Sequence, residues 1–398
     1  MIVFHGGWRV IVLAIAAAPL IYYVLASVAA WRFFRDRRPA ANSFLPPVSV
    51  LKSLRGVDFA SYENYASFCT QEYPVYEILF AVNEPADPAA EVVQRLIADF
   101  PDRQIRLLTG AEKLGANKKV NNLALMAQEA RHEIIVMSDG DVRVGKNYLR
   151  EVVAPLADRK VGAVTSFYRG IAQKNLGAEL EAIGAAAGFF PGVLMAWWTE
   201  GVKFALGASI ATTKTWLAKI GGFASVADFL ADDYEIGHRI ALAGGKVVLS
   251  RETVCTMYPA QTPRGFWGHQ LRWARTVRLC RPLSYTALLF TQGLPWAIVA
   301  AIVAPASPIA ATFLAVYFVL RLMMAWIVGV WGVRDEVLRR RIWLVPFWDA
   351  LHFVVWAASF ASNRIVWSGL EYTVENGRMK PQASAQADGI KTTAPIHR

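Results

Sequence analysis

Between residues 48 and 258 short apolar runs alternate with helix-like patterns, one run ends in two carboxylates a residue apart, and long uncharged stretches lie on either side. These three observations predict an α/β domain with a mostly parallel sheet, carried between N- and C-terminal transmembrane helices. The strands read as 48–54, 76–83, 105–109, 133–139 and 161–168, with helical periodicity over 89–100 and 120–131. About 250 residues of mixed composition separate the first long apolar stretch from the next, enough for one domain with its own core. In sheets of this kind ligands gather at the carboxyl ends of strands, and Asp139 lies at such an end.

The chain of 398 residues is 55% hydrophobic, too apolar for an ordinary soluble domain. Residues 10–31 carry no charge and are long enough to span a bilayer; a cleaved signal peptide is the alternative, but the length and the arginines that follow favour a retained anchor. Residues 282–320 are also uncharged, and the run Pro305-Ala-Ser-Pro308 divides them into two spans, the second continuing to about Trp331. A further apolar stretch, 342–363, contains Asp349 and His352 and either spans or re-enters. The expected organisation is an anchor over 1–34, a linker over 35–47, a catalytic domain over 48–258, a basic interfacial helix over 259–282, a transmembrane hairpin over 283–331, a transmembrane or re-entrant segment over 342–368, and a polar, disordered tail over 380–398.

The net charge of +11 raises nucleic acid as a partner, but its placement excludes that reading. Arg32, Arg35, Arg37 and Arg38 follow the first span, Arg264, Arg272, Arg275, Arg278 and Arg281 precede the second, and Arg339, Arg340 and Arg341 follow the third. These are membrane flanks. They predict a multi-pass integral membrane protein with its N-terminus outside and its large domain in the cytosol, as in a bacterial inner membrane. Cys69, Cys255 and Cys280 have no disulfide or metal spacing, which fits a reducing compartment, and the six scattered histidines make no zinc site. Arg321 falls in mid-span without an evident partner.

Four groups of residues carry chemistry. Asp139 and Asp141, in Ser138-Asp-Gly-Asp141, point roughly the same way if the chain stays extended, and their hard oxygens suit Mg²⁺ or Mn²⁺ that takes its other ligands from substrate phosphates; Asp-Gly-Asp is also ordinary turn chemistry. Glu84 and Asp87 follow the strand 76–83, where an acid can bind a base or ribose or simply be a solvated loop acid. Lys118, Lys119, Asn121 and Asn122 open a helix, a place to hold a diphosphate, with capping by Asn121 the alternative. Four acids fall within 228–235, and Asp233 at a helix start is a candidate general base, against N-capping by Asp232 or Asp233. Last, His269, Gln270, Arg272 and Trp273 lie in a basic aromatic stretch before the membrane: the arginine can neutralise a leaving diphosphate and the tryptophan can stack on an acceptor, or both can anchor an interfacial helix.

As an ordered set these pieces resemble the family 2 glycosyltransferases of GT-A fold and, more closely, the ceramide glucosyltransferases of family 21. The resemblance rests on Val48-Ser-Val-Leu-Lys52-Ser-Leu-Arg-Gly-Val-Asp58, Val82-Asn-Glu-Pro-Ala-Asp87-Pro, Leu114-Gly-Ala-Asn-Lys-Lys119-Val-Asn121-Asn122-Leu, Ser138-Asp139-Gly-Asp141-Val-Arg143-Val, Ala231-Asp-Asp233-Tyr and Arg272-Trp273, and covers residues 10–372. It implies a GT-A domain in which Asp87 contacts the nucleotide, Lys119 faces the diphosphate, Asp139 and Asp141 bind Mg²⁺ or Mn²⁺ with the phosphates of UDP, Asp233 is the base, and Arg272 and Trp273 close the site. It further implies inverting transfer of a hexose, glucose first, from a UDP-sugar to the primary hydroxyl of ceramide. The alternative is the same fold acting on another membrane lipid, such as a hopanoid, diacylglycerol or polyprenyl phosphate. A processive synthase would want more spans, and a non-catalytic scaffold would not need the acids. One departure is His269, where the family has Gln or Arg. The glycine-rich stretch 184–198 either dips into the interface to guide the lipid or is a buried core helix.

Overall fold

The structure is a computed structural model that describes residues 7–35, 44–305, 307–367 and 370–381. Two N-terminal helices, α1 (Gly7–Ala16) and α2 (Ala18–Phe34), form one apolar rod long enough to cross a membrane. The domain then runs β1 (Val48–Leu54), α3 (Ser61–Cys69), β2 (Tyr76–Val82), α4 (Ala89–Asp99), β3 (Gln104–Leu108), α5 (Lys118–Glu129), β4 (Ile134–Met137), β5 (Val142–Arg143), α6 (Tyr148–Val153), β6 (Val161–Ala172), α7 (Leu176–Ile183), α8 (Phe190–Thr199), β7 (Ile210–Thr213), α9 (Lys214–Lys219), α10 (Asp232–Leu242) and β8 (Lys246–Tyr258). Every residue of β2 is buried, as a strand covered on both faces requires, while α4 buries Ala89, Val93 and Leu96, one stripe at helical spacing.

The eight strands lie in the order β3-β2-β1-β4-β7-β6-β8-β5. The β3-β2-β1-β4 half is parallel; β7 runs against β4 and β6, β8 runs parallel to β6, and β5 against β8. All five strands read from the sequence are present, with β6 extended to Ala172; β5, β7 and β8 are additions. β1 and β2 end level, Leu54 beside Val82, whereas β4 ends beside Leu51, so the chain leaves the sheet earlier at Asp139.

After β8 come α11 (Pro263–Cys280), α12 (Pro282–Ala287), α13 (Gly293–Val303), α14 (Pro308–Ala325), α15 (Glu336–Arg341) and α16 (Val345–Ser359), then a three-stranded antiparallel sheet of β9 (Arg364–Trp367), β10 (Leu370–Glu375) and β11 (Arg378–Pro381). Helices Leu176–Thr199, Pro308–Val333 and Glu336–Ser359 are, like the N-terminal rod, long and apolar enough to cross a membrane. The first limb of the expected hairpin is not straight: helix Pro282–Thr291 and helix Gly293–Val303 meet at 53°. The break has a local cause, since the amide of Gly293 donates to Tyr23 Oη of α2 at 2.8 Å instead of continuing a helix ladder. Residues 184–198 are neither broken nor loose. They continue α7 through a π-helical turn, Gly184–Phe189, into α8, and the indole of Trp348 on α16 lies where a side chain at Gly184 would stand. Lys380 and Pro381, assigned from sequence to the tail, belong to β11, and 382–398 lie outside the described residues.

Candidate active site

Asp139 follows β4, the strand where the parallel half meets antiparallel β7 in the middle of the sheet, its side chain 35% exposed. Lys119, in the first turn of α5, places Nζ 2.6 Å from Asp139 Oδ1 and 3.3 Å from Asp232 Oδ2. Burial opposes the lysine's charge, but Asp139, Asp232 and Asp233 hold its proton well above the ordinary range. Asn117 sets this geometry. Its side chain caps α5 by accepting from the amide of Val120 and donates to the carbonyl of Phe229 and to Asp232 Oδ1 at 2.9 and 3.2 Å, which ties α5 to the start of α10.

Lys52 lies on β1, fully buried, and donates to the carbonyl of Asp139 at 2.6 Å. Burial pulls its amine down to about 7, against the attraction of Asp141, Asp139 and Asp58. Asp141 is the reverse case: burial and the like charge of Asp139 push it up to about 7, with Lys52 pulling back. Two hard carboxylates in one cleft, imperfectly balanced by two lysines, fit a divalent cation that takes further oxygens from a diphosphate. Among the described residues no group of three His, Cys, Asp or Glu side chains is arranged to hold a metal, so a cation here would depend on substrate oxygens.

Asp233 faces Asp139 across Gly207. A Cβ at Gly207 would stand 2.9 Å from Asp233 Oδ2 and 3.1 Å from Asp139 Oδ2, so the missing side chain leaves a gap between the two acids. Gly237 of α10 packs directly on the backbone of Phe204 and Ala205, which brings α10 and this segment together. Burial, then Asp232, raise the Asp233 carboxyl to about 6, and Lys119 partly offsets them. Asp232 does not cap α10; its carboxylate is taken by Asn117 and Lys119.

The remaining sequence candidates divide. Asp87 accepts from the amide of Gly56 at 2.9 and 3.1 Å and from Ala89 at 2.9 Å, joining the loops after β1 and β2 at the carboxyl edge. Glu84 is exposed on the same loop. Asn121 points back into its own loop, accepting from the amides of Leu114 and Gly115 and donating to the carbonyl of Gly115, so its amide is committed to holding that loop. On α11, His269 Nδ1 and Gln270 Nε2 both meet Glu181 of α7, the latter at 3.3 Å, and Trp273 packs edge-on to Phe189 with ring centroids 6.1 Å apart. Burial lowers Arg272, and Glu181 opposes that shift. Among the described residues none of these four side chains hydrogen-bonds or ion-pairs with Asp139, Asp141 or Asp233; they form a second cluster around Glu181. Sequence reading gave no role to Lys52, Asn117, Gly207 or Glu181. Lys52 had a signal, a lone lysine in an apolar strand, and Glu181 a similar one in an apolar helix.

A carboxylate pair at the end of a central strand, with a mixed second half of the sheet and an acid-bearing helix facing it, defines a glycosyltransferase domain of GT-A fold. The chain belongs to glycosyl transferase family 21, whose model matches residues 11–380. Ceramide glucosyltransferase 3 of Caenorhabditis elegans is 27% identical over 259 residues, 64% of this chain and 55% of that protein. Ceramide glucosyltransferase 1 of the same organism is 27% identical over 236 residues, 58% of this chain and 50% of that one. The match thus spans about half the length of these relatives. In fold the chain is similar to a mannosyltransferase from Pyrobaculum calidifontis in complex with GDP-Man and Mn²⁺, with a TM-score of 0.54 at 20% identity over 88% of this chain and 97% of that one. The long apolar helices make this a membrane protein.

Proposed function

We propose that the protein is an inverting glycosyltransferase that moves a hexose, glucose first, from a UDP-sugar to the primary hydroxyl of ceramide. The observation that carries the reading is the Asp139–Lys119 pair, with Asp141 in electrostatic reach of Asp139, facing Asp233 across the space at Gly207. The loops after β1 and β2, closed by Asp87, would receive the nucleotide, with Glu84 at their edge. Mg²⁺ or Mn²⁺, held by Asp139 and Asp141, would supply positive charge to the diphosphate. Lys119 adds a fixed cation on the same side, the larger catalytic term being charge stabilisation of this kind. Asp233 accepts the proton of the attacking hydroxyl as its oxygen bonds to the anomeric carbon, and UDP leaves with the electron pair of the broken bond. The arginine flanks support a domain on the cytosolic face with α11 in the interface, where Arg272 and Trp273 would close the acceptor side.

The family names of the relatives support ceramide as acceptor. A different membrane lipid is the second reading, and the observation favouring it is His269, which meets a buried Glu181 where the family has Gln or Arg. The test supplies labelled UDP-glucose and Mg²⁺ or Mn²⁺ to membranes containing the protein, with ceramide, diacylglycerol and a hopanoid polyol in parallel. A metal-dependent glycosylceramide, reduced at least about a hundredfold in Asp233→Asn, is expected. Product on another lipid alone moves the acceptor to the second reading, and transfer that survives Asp233→Asn overturns the mechanism.

A further inference from the structure

Tyr168 carries a hydroxyl that the fold leaves without a partner. The residue is 6% exposed on β6, its ring lies edge-on to Phe190 with centroids 4.9 Å apart, and its Oη is closed to solvent with no hydrogen bond among the described residues. Buried hydroxyls are nearly always paired, so an orphan within reach of the acids marks a place for a water or a ligand atom. Burial first, and then the charges of Asp233, Asp139 and Asp141 within electrostatic reach, raise its pKa, so the hydroxyl keeps its proton and is available as a donor. Thr256, opposite Gly170 two residues along the same pair of strands, has an Oγ1 that is likewise buried and unpaired.

The sheet order says which substrate this is. Lys52, Asp87 and Asp139 belong to β1, β2 and β4 and the loops that follow them, in the parallel half. β6 lies beyond β4, with β7 between, and Tyr168 looks from it toward Phe190 at the start of the apolar helix α8. Tyr168 therefore stands on the far side of β4 from β1 and β2, where the apolar helix α8 begins, away from the nucleotide half. We propose that Tyr168 binds the acceptor, its hydroxyl donating a hydrogen bond to a polar oxygen of the membrane lipid next to the hydroxyl that attacks. The assignment rests on the glycosyltransferase reading above.

Tyr168→Phe removes Oη and keeps the ring on Phe190. The expected result is a rise of about tenfold in the KM for the lipid acceptor, the effect of one hydrogen bond, with the KM for UDP-sugar within about twofold of wild type. A second readout separates binding from structure. Because the hydroxyl is unpartnered, Tyr168→Phe melts no lower than wild type without lipid, and added acceptor lipid stabilises it less than it stabilises wild type. An unchanged acceptor KM, an equal rise in the donor KM, or a lower melting temperature without lipid would overturn the assignment while leaving the proposed function standing. A wild-type protein that transfers sugar to none of the lipids overturns the proposed function, and the role of Tyr168 with it.

Discussion

Asp233 begins α10 beside a carboxylate of like charge and behind a wall of buried atoms, and these conditions raise its carboxyl to about 6. A base works only when deprotonated. Transfer at saturating donor, lipid and divalent cation is therefore expected to hold above that pH and to fall about tenfold per unit below it. A pH–rate profile measures this, and an ascending limb that stays near the ordinary carboxylate range would remove Asp233 from the role. The acids were readable because their signals are local: Asp139 and Asp141 close an apolar run, and Asp232 and Asp233 crowd a helix start. Asn121 misled for the opposite reason. Its neighbours in sequence looked like a phosphate site, but its amide meets the loop at Leu114 and Gly115, and the capping residue is Asn117. Tyr168 and Glu181 acquire meaning only from strands and helices distant in sequence, and no spacing rule reaches them.

Among the elements, α14 and α16 are joined by an interaction that local sequence could not reveal. Arg321 meets Asp349 through two hydrogen bonds of 2.8 and 2.7 Å, and Tyr317 donates to the same carboxylate at 2.8 Å. Both charges are nearly closed to solvent, with side chains 4% and 12% exposed. Removing one partner leaves the other buried and unpaired, a cost of about 3–5 kcal/mol, whereas removing both replaces the pair with apolar packing. Asp349→Leu is expected to lower the melting temperature in detergent sharply, and Arg321→Leu/Asp349→Leu to recover most of the loss; a double variant as unstable as the single one would refute the pairing. β4 was legible as a continuous apolar run, β1 to β3 as mostly apolar runs broken by one or a few polar residues, and α4 as a stripe. The strands β7 and β8 were not, since β7 is four residues long and β8 mixes buried positions irregularly with half-exposed and exposed ones, so neither presents such a run.

For the whole molecule the open question is which side of the bilayer the C-terminal sheet occupies, and contacts at both ends of the segment before it answer alike. At its start, Asp335 accepts from the amide of Gly170 in β6 at 2.7 Å and caps α15, and Arg341 pairs with Glu179 of α7 at 3.1 Å. At its end, Arg278 of α11 donates to the carbonyl of Ser362 at 3.1 Å, the amide of Met379 in β11 donates to Asp228 at 2.7 Å, and that of Leu230 to Gly377 at 3.4 Å, just before Asp232 and Asp233. Both ends of this helix are thus tied to the same domain, although α15 and α16 together are long and apolar enough to cross a bilayer. We therefore infer that 336–359 re-enters or lies along the interface, and that β9–β11 return to the cytosolic face beside the base. Length and hydropathy alone left both answers open, because they measure a helix and not the places where its ends are tied. A cysteine placed at exposed Glu371 tests this directly. In sealed vesicles with the cytosolic face outward a membrane-impermeant maleimide is expected to label it without detergent, and in vesicles of opposite orientation only after detergent. The reverse pattern would mean that the segment spans, and the contacts of β11 with the loop at Asp228 would then have to be abandoned.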